Sequence, residues 1–566
     1  MPAIARRVGE PRPTPDVAGV SEELRVARNA GLVGAATLLS RVMGLVREQT
    51  MAILFGAGLA TDAFNVAFRI PNLLRDLFAE GAMSSAFVPT FTEYLHRRGE
   101  EEAWALGRQL MVTLAAVLIA LCAIGWLTAP WLVRAFAAGF AAVPGKLDLT
   151  VTLTRVMLPL LPLVALAAAA MGMLNARGRF AVPAIAPALM NVGMVVFGVG
   201  LIPVFRALGR PPILAMAVGV VIGGALQFAI QLPALARLGF RFRLEWPRPH
   251  PGVQRVAAMM LPATLGLAAT QINLLVSTQI ASQLEQGSVS WLWYAFRLMQ
   301  LPIGVFGVAL ATVSMPALSR AAVEQDMPAL KRTLSATLRL VFLLTLPAAL
   351  WMAVMSRPIV ALLYQHGRFH AFDTDQSAGA LVMYCIGLPA FAAVGVMTRT
   401  FYALGDTRVP VQASFVSVAL NLALNLLFIG PLRPLGLAHR GLALATSLTA
   451  IVNFAQLTWY LRRRVGRFEG RRIATTLLRV GLASTVAVGG CALALAALGE
   501  RWHHGLVGAG LVVLGAAGFA LAAGYGLMKL TRVEELDTLE ALVVALGRRM
   551  TGRAPGRPGE GDPDER

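Results

Sequence analysis

Charge is what this sequence has least of. Only 14% of its 566 residues are Asp, Glu, Lys or Arg, against roughly 25% in a soluble globular chain, too little polar surface to cover a water-exposed globule. Acids are the scarcer sign, 30 against 50 Lys and Arg. None occurs in Pro251–Leu284, Val289–Leu318 or Val409–Gly466, so a carboxylate-based proton or sodium site is hard to build in the second half. Cysteine is almost absent: Cys122, Cys385 and Cys491 each lie alone in an apolar run, which excludes a disulfide framework or zinc spacing. The seven histidines fall between apolar segments, which argues against a membrane phosphatase or metal enzyme. The nucleotide-binding pattern G-x-x-x-x-G-K-S/T is missing too. No catalytic residue, metal or cofactor is expected. No cleavable signal peptide is expected, since residues 1–29 are polar and the first apolar segment begins near Ala30.

What is present is apolar and long. Hydrophobic residues make up 57% of the chain, in runs such as Met111–Trp126 and Leu506–Leu527. A bilayer-spanning helix needs ~20 such residues, and helices satisfy their own backbone where lipid offers no partner. Spans are expected near 30–55, 62–94, 106–133, 150–174, 181–205, 212–237, 252–284, 289–318, 333–364, 377–404, 410–430, 440–462, 473–498 and 505–530. The fold class is therefore an all-α integral membrane protein with about fourteen transmembrane helices. The net charge of +20 is not a nucleic-acid signature. The basic residues sit between apolar runs, as at Arg462–Arg464, where orientation signals belong; basic loops alternate with sparse ones such as Gly56–Gly58, placing both termini in the cytoplasm.

The chain also repeats itself. Ala67-Phe68-Arg69 returns as Ala295-Phe296-Arg297, Pro162 as Pro389, and Asn175–Pro183 as Tyr402–Pro410, at offsets of 227 to 228 residues. An even number of spans per repeat implies parallel lobes about an axis along the membrane normal. The expected organisation is a cytoplasmic tail over 1–29, a six-helix N-lobe over 30–245, a pseudo-symmetric six-helix C-lobe over 246–466, two further helices over 467–532, and a second cytoplasmic tail over 533–566. In that tail Leu536, Leu539, Val543 and Leu546 recur at helical spacing. They predict a short amphipathic helix on the cytoplasmic surface, or a solvated one.

Ionisable residues inside spans cost roughly 2.5–3.5 kcal/mol each, so they face a cavity or pair. Ser40, Gly44 and Arg47 form one helical stripe, with Arg41 and Glu48 on the adjoining one. Asp62, Arg69 and Asp76 share a face of the second span, which also carries Arg75 and Glu80. Arg297 has Trp293 and Gln300 a turn away on either side. Arg69 with Asp76, and Arg41 with Glu48, either bridge structurally or meet cargo. Arg47, Arg75 and Arg297 have no equally obvious partner on their own stripe. Guanidinium forks suit phosphate oxygens, so these arginines predict a site for a pyrophosphate-like anion.

The stretches Leu39–Glu48, Phe55–Gly58 with Thr61–Phe64, Pro71–Arg75, Phe78–Ala82, Gly287–Trp291, Arg297–Met299, Phe306–Leu310, Gly367–Phe369 and Phe372-Asp373 closely resemble the MurJ (MviN) family of the multidrug/oligosaccharidyl-lipid/polysaccharide exporter superfamily. The resemblance covers nearly the whole chain. It implies fourteen helices and a flippase that carries lipid II to the periplasmic leaflet of the bacterial inner membrane by alternating access. It implies substrate-binding roles for Arg41, Arg47, Arg75 and Arg297, with Ser40 and Glu48 beside them and Asp62, Arg69, Asp76 and Glu80 as a charge network. It also implies a groove for the lipid tail on the last two helices. The expected partners are lipid II, membrane lipids and other cell-wall synthesis proteins. Membrane potential is the expected drive. Two positions depart from the family pattern: Glu48 and Phe296 stand where Asp is usual. The alternatives are an exporter of another lipid-linked oligosaccharide, a drug/cation antiporter, and a non-transporting scaffold.

Overall fold

A computed structural model describes residues 15–75, 81–243, 245–431, 434, 437–498, 505–537 and 539–540. The first helices are α1 (Pro15–Phe55), α2 (Leu59–Arg75), α3 (Gly81–Arg97), α4 (Glu100–Ala137), α5 (Lys146–Met157), α6 (Leu160–Ala176), α7 (Ala181–Ala207), α8 (Ile213–Ala229), α9 (Leu232–Arg237) and α10 (Pro251–Ala281). They are followed by α11 (Ser288–Pro302), α12 (Val308–Val323), α13 (Met327–Val354), α14 (Ser356–Tyr364), α15 (Ala371–Ala403), α16 (Arg408–Ile429), α17 (Ala438–Val465), α18 (Gly470–Leu498) and α19 (Gly505–Leu530). Among the described residues, eleven helical stretches are long and apolar enough to cross a membrane. The other three expected spans fall on α1, on the α2–α3 pair and on α10.

Several expected spans are not single helices. Pro159 ends α5 and opens α6. A π-turn at Ile303–Gly307, just after Pro302, joins α11 to α12. Proline lacks the N–H that continues an α-ladder, and such insertions bend a helix.

Two compact units divide the chain. One holds Met1–Met51, Val66–Val133 and Gly145–Ala268; the other holds Ala52–Asn65, Arg134–Pro144 and Ala269–Arg566. The first is built around Phe87, Phe91, Trp104 and Phe240, whose rings follow one another at 5.5, 5.5 and 5.6 Å. Within it α7 and α8 approach backbone to backbone. A Cβ on Gly193 would lie 2.4 Å from the Gly223 Cα, and one on Gly219 would lie 2.7 Å from the Gly198 nitrogen. Small residues are what permit such close helix packing in lipid. The second unit has a core around Leu334, Leu338, Val396, Met397 and Phe401.

The repeat is visible in the backbone. After α6, Gly178 (φ +70°) donates to the Asn175 carbonyl and Arg179 to Leu174; after α15, Gly405 (φ +72°) donates to Tyr402 and Asp406 to Phe401. Every residue of the first cap is matched 227 positions on. Both are left-handed glycine caps that close a helix C-terminus.

The tail differs from its expected setting. Val533 and Leu536 are buried against Leu343, Val480, Ala483 and Met528, with Leu539 packed beside them. The apolar stripe thus meets α13, α18 and α19 rather than lipid or water. Glu535, on the stripe's flank, is 5% exposed; Arg339 pairs with it at 2.8 Å and Thr476 donates to it at 3.2 Å. Val543 and Leu546 lie outside the described residues.

Candidate functional site

Arg47 is the hub of the first unit's charge. The 3.6-residue period brings Ser40, Gly44 and Arg47 onto one face of α1, and Asn191 of α7 lies along it. Asn191 Nδ2 donates to the Ser40 carbonyl at 3.4 Å and Oδ1 accepts from Arg47 Nη1 at 3.2 Å. Gly44 faces the same amide, and a Cβ there would lie 3.8 Å from it, an ordinary contact. The Arg47 guanidinium also bonds Glu48 at 2.5 Å and lies 5.4 Å from the Phe68 ring centroid. Arg47 and Glu48 are both buried. Helical spacing put Glu48 with Arg41; the carboxylate instead takes its neighbour, because Arg47 points into the packed face and Arg41 does not. Arg41 is exposed and has no ion pair among the described residues.

The second half carries a neutral counterpart of this contact. Ser277 donates to Asn421 Oδ1 at 3.2 Å, and both positions are displaced by 230 residues from Arg47 and Asn191. Asn421 then joins Asn425 and Thr449 in a buried polar cluster. Where the first unit keeps a cation and an acid, the second keeps hydroxyls and amides.

Asp62 is 1% exposed and serves the second unit. Its carboxylate accepts the Gly287 N–H at 2.8 Å, the Ser290 N–H at 3.0 Å and the Ser290 hydroxyl at 2.6 Å. These are orphan donors of the first turn of α11, and a carboxylate complements the positive helix end. Spacing placed Asp62 on one face of the helix with Arg69 and Asp76; its carboxylate caps α11. Asp373 of α15 holds the same turn by accepting Trp291 Nε1 at 2.9 Å.

Arg297 lies over the Trp293 ring, 4.7 Å from its centroid, and reaches Gln300 at 3.5 Å. Its two expected neighbours are thus the ones it meets. Arg399 of α15 donates to Thr312 at 2.6 Å and to the Val308 carbonyl at 3.5 Å, beside the π-turn. Arg75 ends α2, and Arg69 is half-buried on the same helix. Asp76 and Glu80 lie outside the described residues. Sequence reading missed Asn191 and Gln279; the latter accepts the Ala138 N–H at 2.8 Å. No local signal marks either, because their partners lie more than a hundred residues away. Among the described residues no group of His, Cys, Asp and Glu is placed to hold a metal ion.

These helices, with arginines and their fixed partners inside them, define a polytopic membrane transporter. The fold is shared with a solved multidrug resistance MATE family transporter of the MOP superfamily in an inward-facing conformation (TM-score 0.61, 15% identity, 77% of this chain and 98% of that one). It is also shared with a solved lipid II flippase MurJ in an inward closed conformation (TM-score 0.72, 24% identity, 88% and 99%). Residues 51–515 match the family model described as lipid II flippase MurJ. The lipid II flippase MurJ of Burkholderia cenocepacia is 40% identical over 437 residues, 76% of this chain and 83% of its own length. The probable lipid II flippase MurJ of Vibrio cholerae is 34% identical over 526 residues, 92% and 98%. The chain belongs to the lipid II flippase MurJ family, as the motif resemblance implied, and is a transporter rather than an enzyme.

Proposed function

We propose that the protein moves lipid II, the undecaprenyl-diphosphate-linked peptidoglycan precursor, from the cytoplasmic to the periplasmic leaflet of the bacterial inner membrane by alternating access, with both termini in the cytoplasm. Family membership carries the reading, and the disposition of the arginines supports it. Arg47 is bound into a packed network, so it positions α1. Arg41, which has no described ion partner, Arg75 and Arg297 are the groups assigned to the cargo diphosphate, Arg297 being steadied by Trp293. The tail of the cargo runs along α18 and α19, whose outer faces expose Leu482, Val486, Leu511 and Leu514.

An inside-negative potential favours outward movement of an anion by ~2.3 kcal/mol per charge per 100 mV. The neutral Ser277–Asn421–Asn425 cluster and the acid-free stretches of the second half make potential the better-supported drive. Depletion tests the reading: lipid II then accumulates in the cytoplasmic leaflet, and normal lipid II distribution with loss of another lipid-linked sugar overturns it. In proteoliposomes with sodium and potential varied separately, transport follows potential; transport that needs sodium and ignores potential removes the proposed drive.

A further inference from the structure

The second unit holds a shallow, wide-mouthed cavity of about 460 Å³ that the transport reading does not use. Phe55, Ala57 and Gly58 form one wall; Arg368, His370 and Phe372 form the other. The walls are tied by backbone. The Arg368 N–H donates to the Ile53 carbonyl at 3.0 Å. Gly56 (φ +67°) and Gly367 (φ +60°) cross so closely that a Cβ on either would fall 2.4 or 2.3 Å from the opposing carbonyl oxygen. The N-termini of two long helices border the cavity, α2 beginning after Gly58 and α15 after His370. The acid on its rim, Asp373, is committed: it accepts Trp291 Nε1 at 2.9 Å and the His370 N–H at 3.0 Å. The Arg368 guanidinium and His370 imidazole have no ion pair among the described residues and are exposed.

We propose that this cavity is an anion site for a phosphate or diphosphate ester. A fork-shaped guanidinium, an imidazole and two helix N-termini present donors of one sign to a common space, while Phe55 and Phe372 offer apolar faces to whatever carries the anion. The site depends on conformation. α1 passes from the first unit to the second at Met51, and the chain returns at Val66, so any change in the units' disposition acts on the wall formed by Phe55–Gly58. The same segment carries Asp62, which caps α11, and Asp373 holds Trp291 of that helix. A ligand that bridges the two walls therefore retains residues 52–65 on the second unit and slows transport. The ester has three sources of the same chemistry: the diphosphate of departing cargo, a phospholipid headgroup, or a soluble phosphate. The first of these rests on the proposed function.

The test uses the full-length protein in phosphatidylcholine nanodiscs with a G58C reporter, a position where the added Cβ meets only Gln286 at 3.6 Å. Millimolar inorganic pyrophosphate is expected to slow maleimide labelling of G58C at least fivefold. R368Q is expected to label at the same basal rate without protection, and R368K to regain part of it. No protection in the parent, or equal protection in R368Q, overturns the site. Protection by phosphatidylglycerol nanodiscs alone identifies the phospholipid source; protection that needs added lipid II identifies the cargo. Because the readout is binding, a failure of lipid II transport in a parallel assay counts against the proposed function and leaves this result standing.

Discussion

Asp62 and Ser290, 228 residues apart in sequence, are joined twice: one carboxylate oxygen accepts both the backbone N–H and the hydroxyl of Ser290. With Gly287, this caps α11 from a segment that belongs in sequence to the first repeat. A hydrogen bond to a charged group contributes roughly 1.5–3 kcal/mol. D62N keeps the shape and loses the charge, so the hold of residues 52–65 on α11 weakens about tenfold or more. Impermeant maleimide labelling of G58C reports this, and faster labelling in D62N is the expected outcome.

The two first-helix arginines separate stability from transport. E48Q leaves Arg47 buried without its carboxylate, and breaking one side of a buried pair costs about 3–5 kcal/mol. Its melting temperature in detergent falls clearly. R41Q, on an exposed side chain, leaves the melting temperature unchanged and lowers lipid II transport. Equal melting losses in both variants contradict this division.

The linker before α10 is expected to respond to pH. His250 Nδ1 accepts the Gly252 N–H at 3.1 Å, and its ring packs on Tyr94. Burial lowers its pKa below 6.5, with Arg98 adding to the effect and Glu102 opposing it. A histidine with a depressed folded value is fully favourable above the unfolded value and loses stability as pH falls from there towards the folded one. Protonation also removes the acceptor for Gly252. Hydrogen exchange at residues 252–254 is expected to accelerate, relative to intrinsic rates, between pH 7.5 and 5.5. H250N keeps a capping acceptor and abolishes that acceleration.

The tail is a structural part of the second unit. L536A removes a buried leucine at a cost of about 2–5 kcal/mol, and E535Q leaves Arg339 with a weaker partner. Protease accessibility after Lys529 is expected to rise in both. Past the end of α19, Glu540 accepts from Tyr525 at 2.5 Å, and this bond holds its carboxyl below the usual range, aided by Lys529. The contact persists through neutral pH and is lost as acid protonates Glu540.

The parts of this molecule set by composition and short-range spacing were legible in the sequence. Length and apolar runs placed the helices, and the 227-residue offset located the matched caps at Gly178 and Gly405. The stripe of Ser40, Gly44 and Arg47 was legible for the same reason. What the sequence hid are choices of partner across the fold. Spacing allots Glu48 to Arg41 and leaves Asp62 on a face with Arg69 and Asp76, because a helix wheel knows only its own helix. Asn191, the turn at Gly287–Ser290 and the face of α18 that receives Leu536 decide otherwise, since each satisfies a buried group that the wheel leaves open.

Arg41, Arg75 and Arg297 are the groups assigned to neutralising a lipid-linked diphosphate during its passage. Lipid II movement in proteoliposomes at fixed inside-negative potential decides this, comparing the parent with R41Q, R75Q and R297Q at equal melting temperature. The expected result is at least a tenfold loss of rate in each, with partial recovery in the lysine variants. Parent-like rates in all three glutamine variants contradict it.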